Sequence, residues 1–555
     1  MCQLDRMVNS VGLPRHPAAV ESRTMTNPAT VSDLIEAELA SLHAASSRAV
    51  WDFNILANTT HEARRIEAET ALSDFLADGE RFAMIEQARA EATGTPRRQL
   101  DLLRASFLAH QVPAGIRKRI IELEATVEMA FSVHRGSVAG NRVDDNVILG
   151  ILRESDDVVE RREAWEASKT VGAVVANDVR ELARLRNTAA SAVGHRDWFA
   201  LSLATSELDE EKLLATLEEV DAATAAPFAC WKADLDDSLS ARFACPVAEL
   251  APWHYADPFF QEVPVEGGVD LDPLLAAGDT VALSERTFAG MGLETRAVLD
   301  RSDLFPREDK CQHAFCIDID REGDVRVLAN VVPGQRWLDT MLHELGHATF
   351  DNGIDPGLPW LLRDCHTVVT EGIAILMGRL AGDAEWLERV LGTDPAAVSA
   401  IVDDLRAARA AELLVFARWV LVMTHFERSL YADPEADLDA RWWELVERYQ
   451  LIPAPAGRHR PDWAAKIHVA CVPVYYHCYL YGHLVASQLA ATLERECGGL
   501  VDRPAAGALL TGRIFAPGLS VRWDTLIEQA TGEPLTATHF GRQIAPPPAS
   551  RVGRL

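Results

Sequence analysis

Two histidines four positions apart, His343 and His347, constrain this chain more than any other feature of its sequence. On an α-helix, residues at this spacing lie on one face, so both imidazoles can bind a single Zn²⁺ ion through neutral ring nitrogens. Glu344 lies one position further round the helix, where it can act as the general base on a water molecule that zinc activates. This spacing of His, Glu and His is typical of zinc-dependent peptidases.

The surrounding sequence supports a helical zinc site. Residues 337–342 have helical apolar spacing, and Asp351-Asn-Gly353 predicts the end of the helix. A catalytic zinc takes three protein ligands and keeps one position open. The best candidate for the third ligand is Glu371, in the apolar, helix-like segment 367–377. The alternative is a buried helix with two structural histidines, which this context disfavours. We therefore predict one Zn²⁺ per chain.

The composition indicates an ordinary globular protein, with 48% hydrophobic and 25% charged residues. The formal net charge of −29 argues against nucleic acid or an anionic membrane as the main partner. Nine scattered cysteines without a Cys-x-x-Cys pair are not typical of a disulfide framework. The chain shows no signal-peptide pattern and no long apolar run. These features predict a reduced, cytoplasmic protein without a membrane segment.

The chain divides into three predicted regions. Residues 1–30 form a flexible N-terminal extension, residues 31–545 one catalytic domain, and residues 546–555 a flexible tail. Within the domain, helical periodicity begins at Ser32 and covers residues 155–193, 207 onward, 335–350, 366–382, 395–430, 436–449 and 474–496.

The best strand signal directly precedes the zinc helix. Residues 313–320 and 325–332 are strand-like and flank a turn that contains Gly323, which predicts a β-hairpin. An exposed edge strand there could bind an extended peptide through backbone hydrogen bonds. A purely structural hairpin fits the pattern equally well.

A second cluster of functional side chains lies far along the chain, in residues 463–481. Peptide hydrolysis passes through a tetrahedral oxyanion, and a preorganised donor aimed at that oxygen lowers the barrier by roughly 3–4 kcal/mol. His468 and one tyrosine could supply such donors. The alternative is a core helix with an aromatic stripe, which we favour for Tyr475 and Tyr481. We also favour a structural role for His483.

Along about residues 31–545 the chain resembles the angiotensin-converting-enzyme family of peptidyl-dipeptidases. The similar segments are Trp51-Asp-Phe-Asn-Ile-Leu-Ala-Asn-Thr-Thr60, Ala164-Trp-Glu166, His313-Ala314, Leu362-Arg363, Trp442-Trp-Glu-Leu-Val-Glu-Arg-Tyr-Gln450 and Lys466-Ile-His468. The resemblance implies a mainly α, gluzincin-type metallopeptidase. It would have two helical subdomains around a deep channel and a small β-hairpin beside the zinc helix. Its substrates would be short peptides, from which it would release C-terminal dipeptides.

The resemblance also implies roles for individual residues beyond the zinc ligands and Glu344. His468 and Tyr479 would stabilise the oxyanion. Lys466, with Tyr476, would hold the C-terminal carboxylate of the substrate. The spacing from His468 contains one residue more than in the family, so Tyr475 is an alternative to Tyr476.

In the predicted hairpin, the resemblance implies that His313 and Ala314 pair with the substrate backbone. The chain also departs from the family. Cys478 occupies the position of a chloride-binding arginine, and Ile375 that of an aspartate near the third ligand. The family's carboxylate-binding glutamine has no clear counterpart within residues 253–261.

Two alternative functions remain open. The first is an endo-acting oligopeptidase, resembling the thimet-oligopeptidase and oligoendopeptidase group, which shares the fold, the zinc motif and a Tyr-x-x-Tyr-Leu feature matched by residues 476–480. The second is a non-catalytic peptide-binding protein on the same fold. The intact Glu344 and the complete ligand set argue against the second alternative.

Overall fold

The computed structural model describes residues 27–264, 270–276 and 278–544. The protein is mostly helical with two small antiparallel sheets, which confirms the predicted mainly α fold. The first helix begins at Pro28, inside the predicted extension. The rest of that extension, residues 1–26, and the predicted tail lie outside the described residues. No helix in the described ranges is long and apolar enough to cross a membrane.

The first half of the chain contains twelve α-helices and one hairpin within the described ranges: α1 (Pro28–Ile55), α2 (Thr59–Leu76), α3 (Gly79–Glu91), α4 (Gly94–Leu108), α5 (Ala114–Val133), β1 (Gly136–Val138), β2 (Asn141–Val143), α6 (Asp145–Glu154), α7 (Val158–Ala192), α8 (Trp198–Thr205), α9 (Glu210–Phe243), α10 (Asp272–Leu275), α11 (Thr280–Gly290) and α12 (Arg296–Arg301).

The second half, as far as it is described, contains the other hairpin and ten α-helices: β3 (Phe315–Asp318), β4 (Val325–Leu328), α13 (Gln335–Gly353), α14 (Thr367–Gly378), α15 (Ala384–Arg389), α16 (Pro395–Ala432), α17 (Leu438–Gln450), α18 (Ile467–Cys471), α19 (Tyr476–Cys497), α20 (Pro504–Leu510), α21 (Trp523–Thr531) and α22 (Thr538–Ile544).

The hairpin before the zinc helix forms as predicted, although its strands are shorter. β3 and β4 pair antiparallel, with Phe315 opposite Leu328 and Asp318 opposite Val325. His313 and Ala314 precede β3, so the observed strand begins two residues later than the predicted one. Among the described residues β3 pairs with β4 alone, which leaves its other edge free for a further strand.

The β1–β2 hairpin was not predicted. Its two-residue turn places Ala139 and Gly140 at positive φ angles of 50° and 78°. Turns of this kind usually carry Asn-Gly or Asp-Gly, and the Ala-Gly pair gives a much weaker sequence signal. Both strands are only three residues long, too short for a clear alternating pattern.

The described residues contain two main hydrophobic cores and two smaller apolar clusters. A small core joins helices α1 to α4 and receives Trp360 and Leu361 from the segment after α13. The large core contains most of the remaining helices, including α13, α14, α16 and α19. The N-terminal helices therefore have a core of their own, and Trp51 of α1 also packs with Ile319 and Leu328 at the β3–β4 hairpin.

Close packing around α14 brings the functional helices together. A Cβ atom placed on Gly346 of α13 would lie 2.9 Å from the Cα of Ala374 in α14. A Cβ atom placed on Gly372 would lie 2.4 Å from Cγ1 of Val485 in α19. Glycine at these contacts lets the three helices approach closely enough for side chains from each to meet at one point.

Candidate active site

The structure brings the three predicted zinc ligands together. The imidazole rings of His343 and His347 lie on one face of α13 with centroids 4.9 Å apart. Glu371 projects from α14, and its Oε2 lies 3.9 Å from Nε2 of His343. The three donor atoms all lie within 4.8 Å of one another. Ligands of tetrahedral zinc are about 3.4 Å apart given bonds near 2.1 Å, so small side-chain rotations suffice to complete the site.

Both histidines are held in the neutral form that binds metal. Burial lowers the pKa of His343 to about 4 and that of His347 to about 3. Nδ1 of His347 lies 2.7 Å from Oγ1 of Thr370, which leaves its Nε2 for the metal. The Thr370 hydroxyl also interacts with the thiol of Cys365. A hydrogen-bonded partner behind the ligand thus orients the His347 ring.

We expect Thr370→Val to weaken zinc binding about 10- to 100-fold, because loss of a partner behind a metal-bound histidine has effects of this size. The measurement is competition with a chelator of known affinity. Thr340→Val serves as the matched control, since among the described residues the Thr340 hydroxyl bonds only to the carbonyl of Arg336 within α13. Equal zinc affinity in the two variants would contradict the orienting role of Thr370.

Glu344 lies on α13 next to the first ligand and is only 8% exposed. Burial and the neighbouring carboxylate of Glu371 raise the pKa of Glu344 to about 8, and the backbone N–H of Cys316 in β3 opposes this rise. A carboxyl group beside the ligand set, in contact with the strand at the cavity wall, is well placed to exchange protons with a reacting water molecule.

The ligand set opens into a cavity of about 490 Å³. Its walls are α1, the segment that contains β3, α13 and the segment leading into α14. The lining residues are His43, Ser47, residues 314–318, Arg321, His343, Glu344, His347, Asp351, residues 363–365, Thr370 and Glu371. Ala314 therefore lines the cavity, whereas His313 is exposed and is not part of this lining.

The structure places Tyr475 at the ligand set, with the predicted Tyr479 beside it. The hydroxyl of Tyr475 lies 3.5 Å from Oε1 of Glu371. The ring of Tyr479 packs edge-on against Tyr475, with centroids 5.1 Å apart. Tyr475 also packs against the large core, so it contacts both the core and the ligand set. Tyr481 is buried and its hydroxyl lies 3.3 Å from Oγ1 of Thr216, so its core assignment is confirmed.

Lys466 forms a side-chain hydrogen bond that the sequence analysis did not predict. Its Nζ donates a hydrogen bond to Oε1 of Gln261 at 2.7 Å. Nζ also lies 5.4 Å from the centroid of the Phe259 ring and 5.7 Å from that of Tyr476. Burial lowers the pKa of Lys466 to about 8, while Asp257 opposes this effect. Gln261, to which the sequence analysis gave no role, thus accepts a hydrogen bond from the buried ammonium group.

His468 belongs to the same cluster as Lys466. Its ring centroid lies 5.0 Å from that of Tyr476, and burial lowers its pKa to about 4. Its Nδ1 is buried without a hydrogen-bond partner among the described residues. Lys466, His468 and Tyr476 are not part of the described lining of the cavity that holds the ligand set. The predicted residues therefore form two neighbouring groups rather than one.

Comparison with known proteins gives one family. Residues 299–546 match the model of Peptidase family M3, whose members are zinc-dependent. The matched segment contains the hairpin β3–β4, the three ligands, Glu344, Lys466 and His468, whereas Gln261 lies outside it. No curated protein shows significant similarity to the chain. The matching family supports the oligopeptidase group, which the sequence placed second, rather than the angiotensin-converting-enzyme family. The ligand geometry and this match identify the chain as a zinc metallopeptidase with similarity to Peptidase family M3.

Proposed function

We propose that the protein is an endo-acting oligopeptidase that hydrolyses internal bonds of short peptides. The observation that carries the proposal is the ligand set of His343, His347 and Glu371 on the wall of a cavity that β3 also lines. A cavity of about 490 Å³ accommodates an extended peptide segment and excludes a folded domain.

The free edge of β3 supports backbone recognition of the peptide. The segment from Ala314 to Asp318 lines the cavity, and within the described residues its outer edge pairs with no other strand. A peptide added to this edge gains main-chain hydrogen bonds that do not depend on its sequence. Its scissile carbonyl then lies beside the ligand set. His313 would contribute at the exposed end of this edge.

The proposed chemistry assigns proton transfer to Glu344. Bound zinc polarises the scissile carbonyl and increases the acidity of water. Glu344 takes the proton of the attacking water and delivers it to the leaving amine. Tyr475 donates to the oxyanion, since its hydroxyl lies against Glu371. Tyr479, which packs on Tyr475, and His468, whose buried Nδ1 has no described partner, are retained as further donors.

A second candidate function is release of C-terminal dipeptides, which the pair of Lys466 and Gln261 favours. The ammonium lies among aromatic rings, and its described hydrogen-bond partner is a neutral amide oxygen. The ammonium of Lys466 and the amide of Gln261 lie side by side, and both can donate hydrogen bonds to a carboxylate. Binding of a peptide C-terminus by Lys466 and Tyr476 requires donors of this kind.

Product mapping with a free peptide and its C-terminally amidated form separates the two functions. For an oligopeptidase we expect cleavage at internal bonds, at similar rates for the free and the amidated peptide. Removal of zinc should abolish cleavage of both. For a peptidyl-dipeptidase, amidation slows cleavage at least about tenfold, as loss of a charge-assisted hydrogen bond would. Absence of cleavage by the zinc-loaded protein would overturn both.

Lys466→Met tests the carboxylate site directly, with the exposed Lys212→Met as matched control. In a peptidyl-dipeptidase, Lys466→Met removes the preference for the free acid and Lys212→Met does not. Because burial lowers the pKa of Lys466 to about 8, its positive charge is present below that pH. The preference should therefore fade as the pH rises above about 8. In an oligopeptidase, neither variant changes the ratio of the cleavage rates of the free and the amidated peptide, and pH does not change it either.

A further inference from the structure

The cavity that holds the ligand set continues along the same face of α13. Asp351 lies four residues after the ligand His347, just as His347 lies four residues after His343, so the three side chains follow one face of the helix. Asp351 is partly exposed and belongs to the lining of the cavity. Four residues of α-helix rise about 6 Å, so this carboxyl group lies roughly that far beyond the second ligand.

Two thiols are the described hydrogen-bond partners of the Asp351 carboxyl group. Sγ of Cys365 donates to Oδ1 at 3.5 Å, and Sγ of Cys316 in β3 donates to Oδ2 at 4.0 Å. Burial and the carboxylate of Asp351 raise the pKa of both thiols well above the usual range, so both stay protonated. A neutral thiol is a weak donor and brings no positive charge. The thiols therefore orient the carboxyl group without neutralising it.

The arginines of the cavity lining already have acidic partners. Arg321 forms an ion pair with Asp364, and Nη1 of Arg363 lies 3.8 Å from the carboxylate of Glu322. No lysine or arginine of the described residues lies within ion-pair distance of Asp351. The carboxyl group of Asp351 therefore faces the cavity without a counter-charge of its own.

The other groups around Asp351 add negative charge rather than positive charge. Asp318 of β3 also lines the cavity, and it accepts hydrogen bonds from two backbone N–H groups at 3.2 and 2.8 Å but forms no described ion pair. Burial, with Asp318 and Asp364 nearby, raises the pKa of Asp351 well above its usual range. On another wall, burial lowers the pKa of His43 to about 4, which leaves its ring uncharged at neutral pH. A cationic group that enters this end of the cavity would supply the missing charge.

We propose that Asp351 is a specificity-determining residue that binds the cationic side chain of a lysine or arginine in the peptide substrate, within two residues of the scissile bond. An extended peptide rises about 3.3 Å per residue, so the 6 Å between His347 and Asp351 correspond to about two residues. Cys316 spans this distance, since its backbone N–H interacts with Glu344 and its thiol with Asp351. The bound cation would pair with Asp351, and Asp318 would be a second acceptor. The inference rests on the proposed peptidase function.

The test compares peptides that carry arginine, or its neutral analogue citrulline, at the first or second position on either side of the cleaved bond. With the zinc-loaded full chain we expect kcat/KM to be about tenfold or more higher for the arginine peptide at one of these positions, mainly through KM. Asp351→Asn should bring this ratio to about one, and Asp351→Glu should retain part of it. Asp403→Asn, at an exposed position of α16, is the matched control and should keep the wild-type ratio. Each ratio compares two peptides on one variant, so a general loss of activity cancels.

Binding without turnover gives a second readout. In zinc-loaded Glu344→Gln protein, fluorescence anisotropy measures the Kd of labelled arginine and citrulline peptides. We expect the arginine peptide to bind about tenfold or more tightly, as pairing with a charged acceptor would provide. Adding Asp351→Asn should remove this difference, whereas adding Asp403→Asn should not.

The outcomes separate this inference from the proposed function. If the wild type cleaves no peptide, the peptidase function fails, and the Kd ratio alone decides whether Asp351 binds a cation. Cleavage with a kcat/KM ratio near one at every position overturns the cation subsite and leaves the peptidase function standing. A preference for arginine that persists in Asp351→Asn overturns the assignment as well. Should Asp351→Asn not fold, the wild-type ratio and its decrease in Asp351→Glu decide the matter.

Discussion

Glu344→Gln is expected to abolish peptide turnover while the protein keeps its zinc. Glutamine has nearly the shape of glutamate but cannot accept a proton, and general-base catalysis contributes about 10²- to 10⁴-fold to the rate. Glu344 is not one of the three ligands, so the donor atoms of His343, His347 and Glu371 stay in place. The measurements are kcat on a fluorogenic peptide and zinc content per chain by atomic absorption.

The matched control for this prediction is Glu388→Gln, a change of the same kind at an exposed position of α15. It should leave both kcat and zinc content at wild-type values. If the kcat of Glu344→Gln is within about tenfold of the wild-type kcat, another group acts as the base. If the wild type binds zinc and peptides without turnover, the non-catalytic alternative is correct.

The metal ligands were predictable because their geometry is local. His343 and His347 share one helix, so their separation in the sequence determines their separation in space. Glu371 comes from a second helix, but it starts an apolar segment soon after the motif, and α13 and α14 are neighbours in the fold. The long helices were predictable for the same reason, since apolar periodicity repeats over many turns.

The tyrosine assignment depended on a loop conformation that residue spacing does not reveal. Between α18 and α19, Val474 adopts a left-handed conformation with φ of 56°. Its N–H donates to the buried carboxylate of Glu427 at 2.7 Å. This loop precedes α19, and after it the Tyr475 hydroxyl lies 3.5 Å from Oε1 of Glu371 with Tyr479 packed beside Tyr475. A residue count from His468 carries no information about such a turn.

Partners from distant parts of the chain were also beyond sequence analysis. Gln261 and Lys466 are more than 200 residues apart and meet only because two segments pack in the folded state. Thr370 is the one missed residue with a local signal, because it directly precedes the third ligand.

The contact between α14 and α19 makes Gly372 the most sensitive backbone position near the site. In Gly372→Ala the new methyl group would lie 2.4 Å from Cγ1 and 2.7 Å from Cβ of Val485, and 3.4 Å from the carbonyl oxygen of Gly482. Overpacking of this kind costs about 1–3 kcal/mol, more than the gain in helix propensity from glycine to alanine. We expect a lower free energy of unfolding and weaker zinc binding, because Glu371 is the adjacent residue.

Denaturant unfolding and chelator competition measure these two effects. Gly150→Ala on α6 is the matched control, since a Cβ atom there meets no neighbour within 4 Å. That variant should be as stable as the wild type or more stable by about 0.5–1 kcal/mol, with unchanged zinc affinity. Val485→Ala removes the closer clashing atom, Cγ1, but keeps Cβ, so it should partly rescue Gly372→Ala in the double variant. A double-mutant cycle quantifies this coupling. If Gly372→Ala is as stable as Gly150→Ala, α14 and α19 are not in the close contact that positions Glu371 and Tyr475.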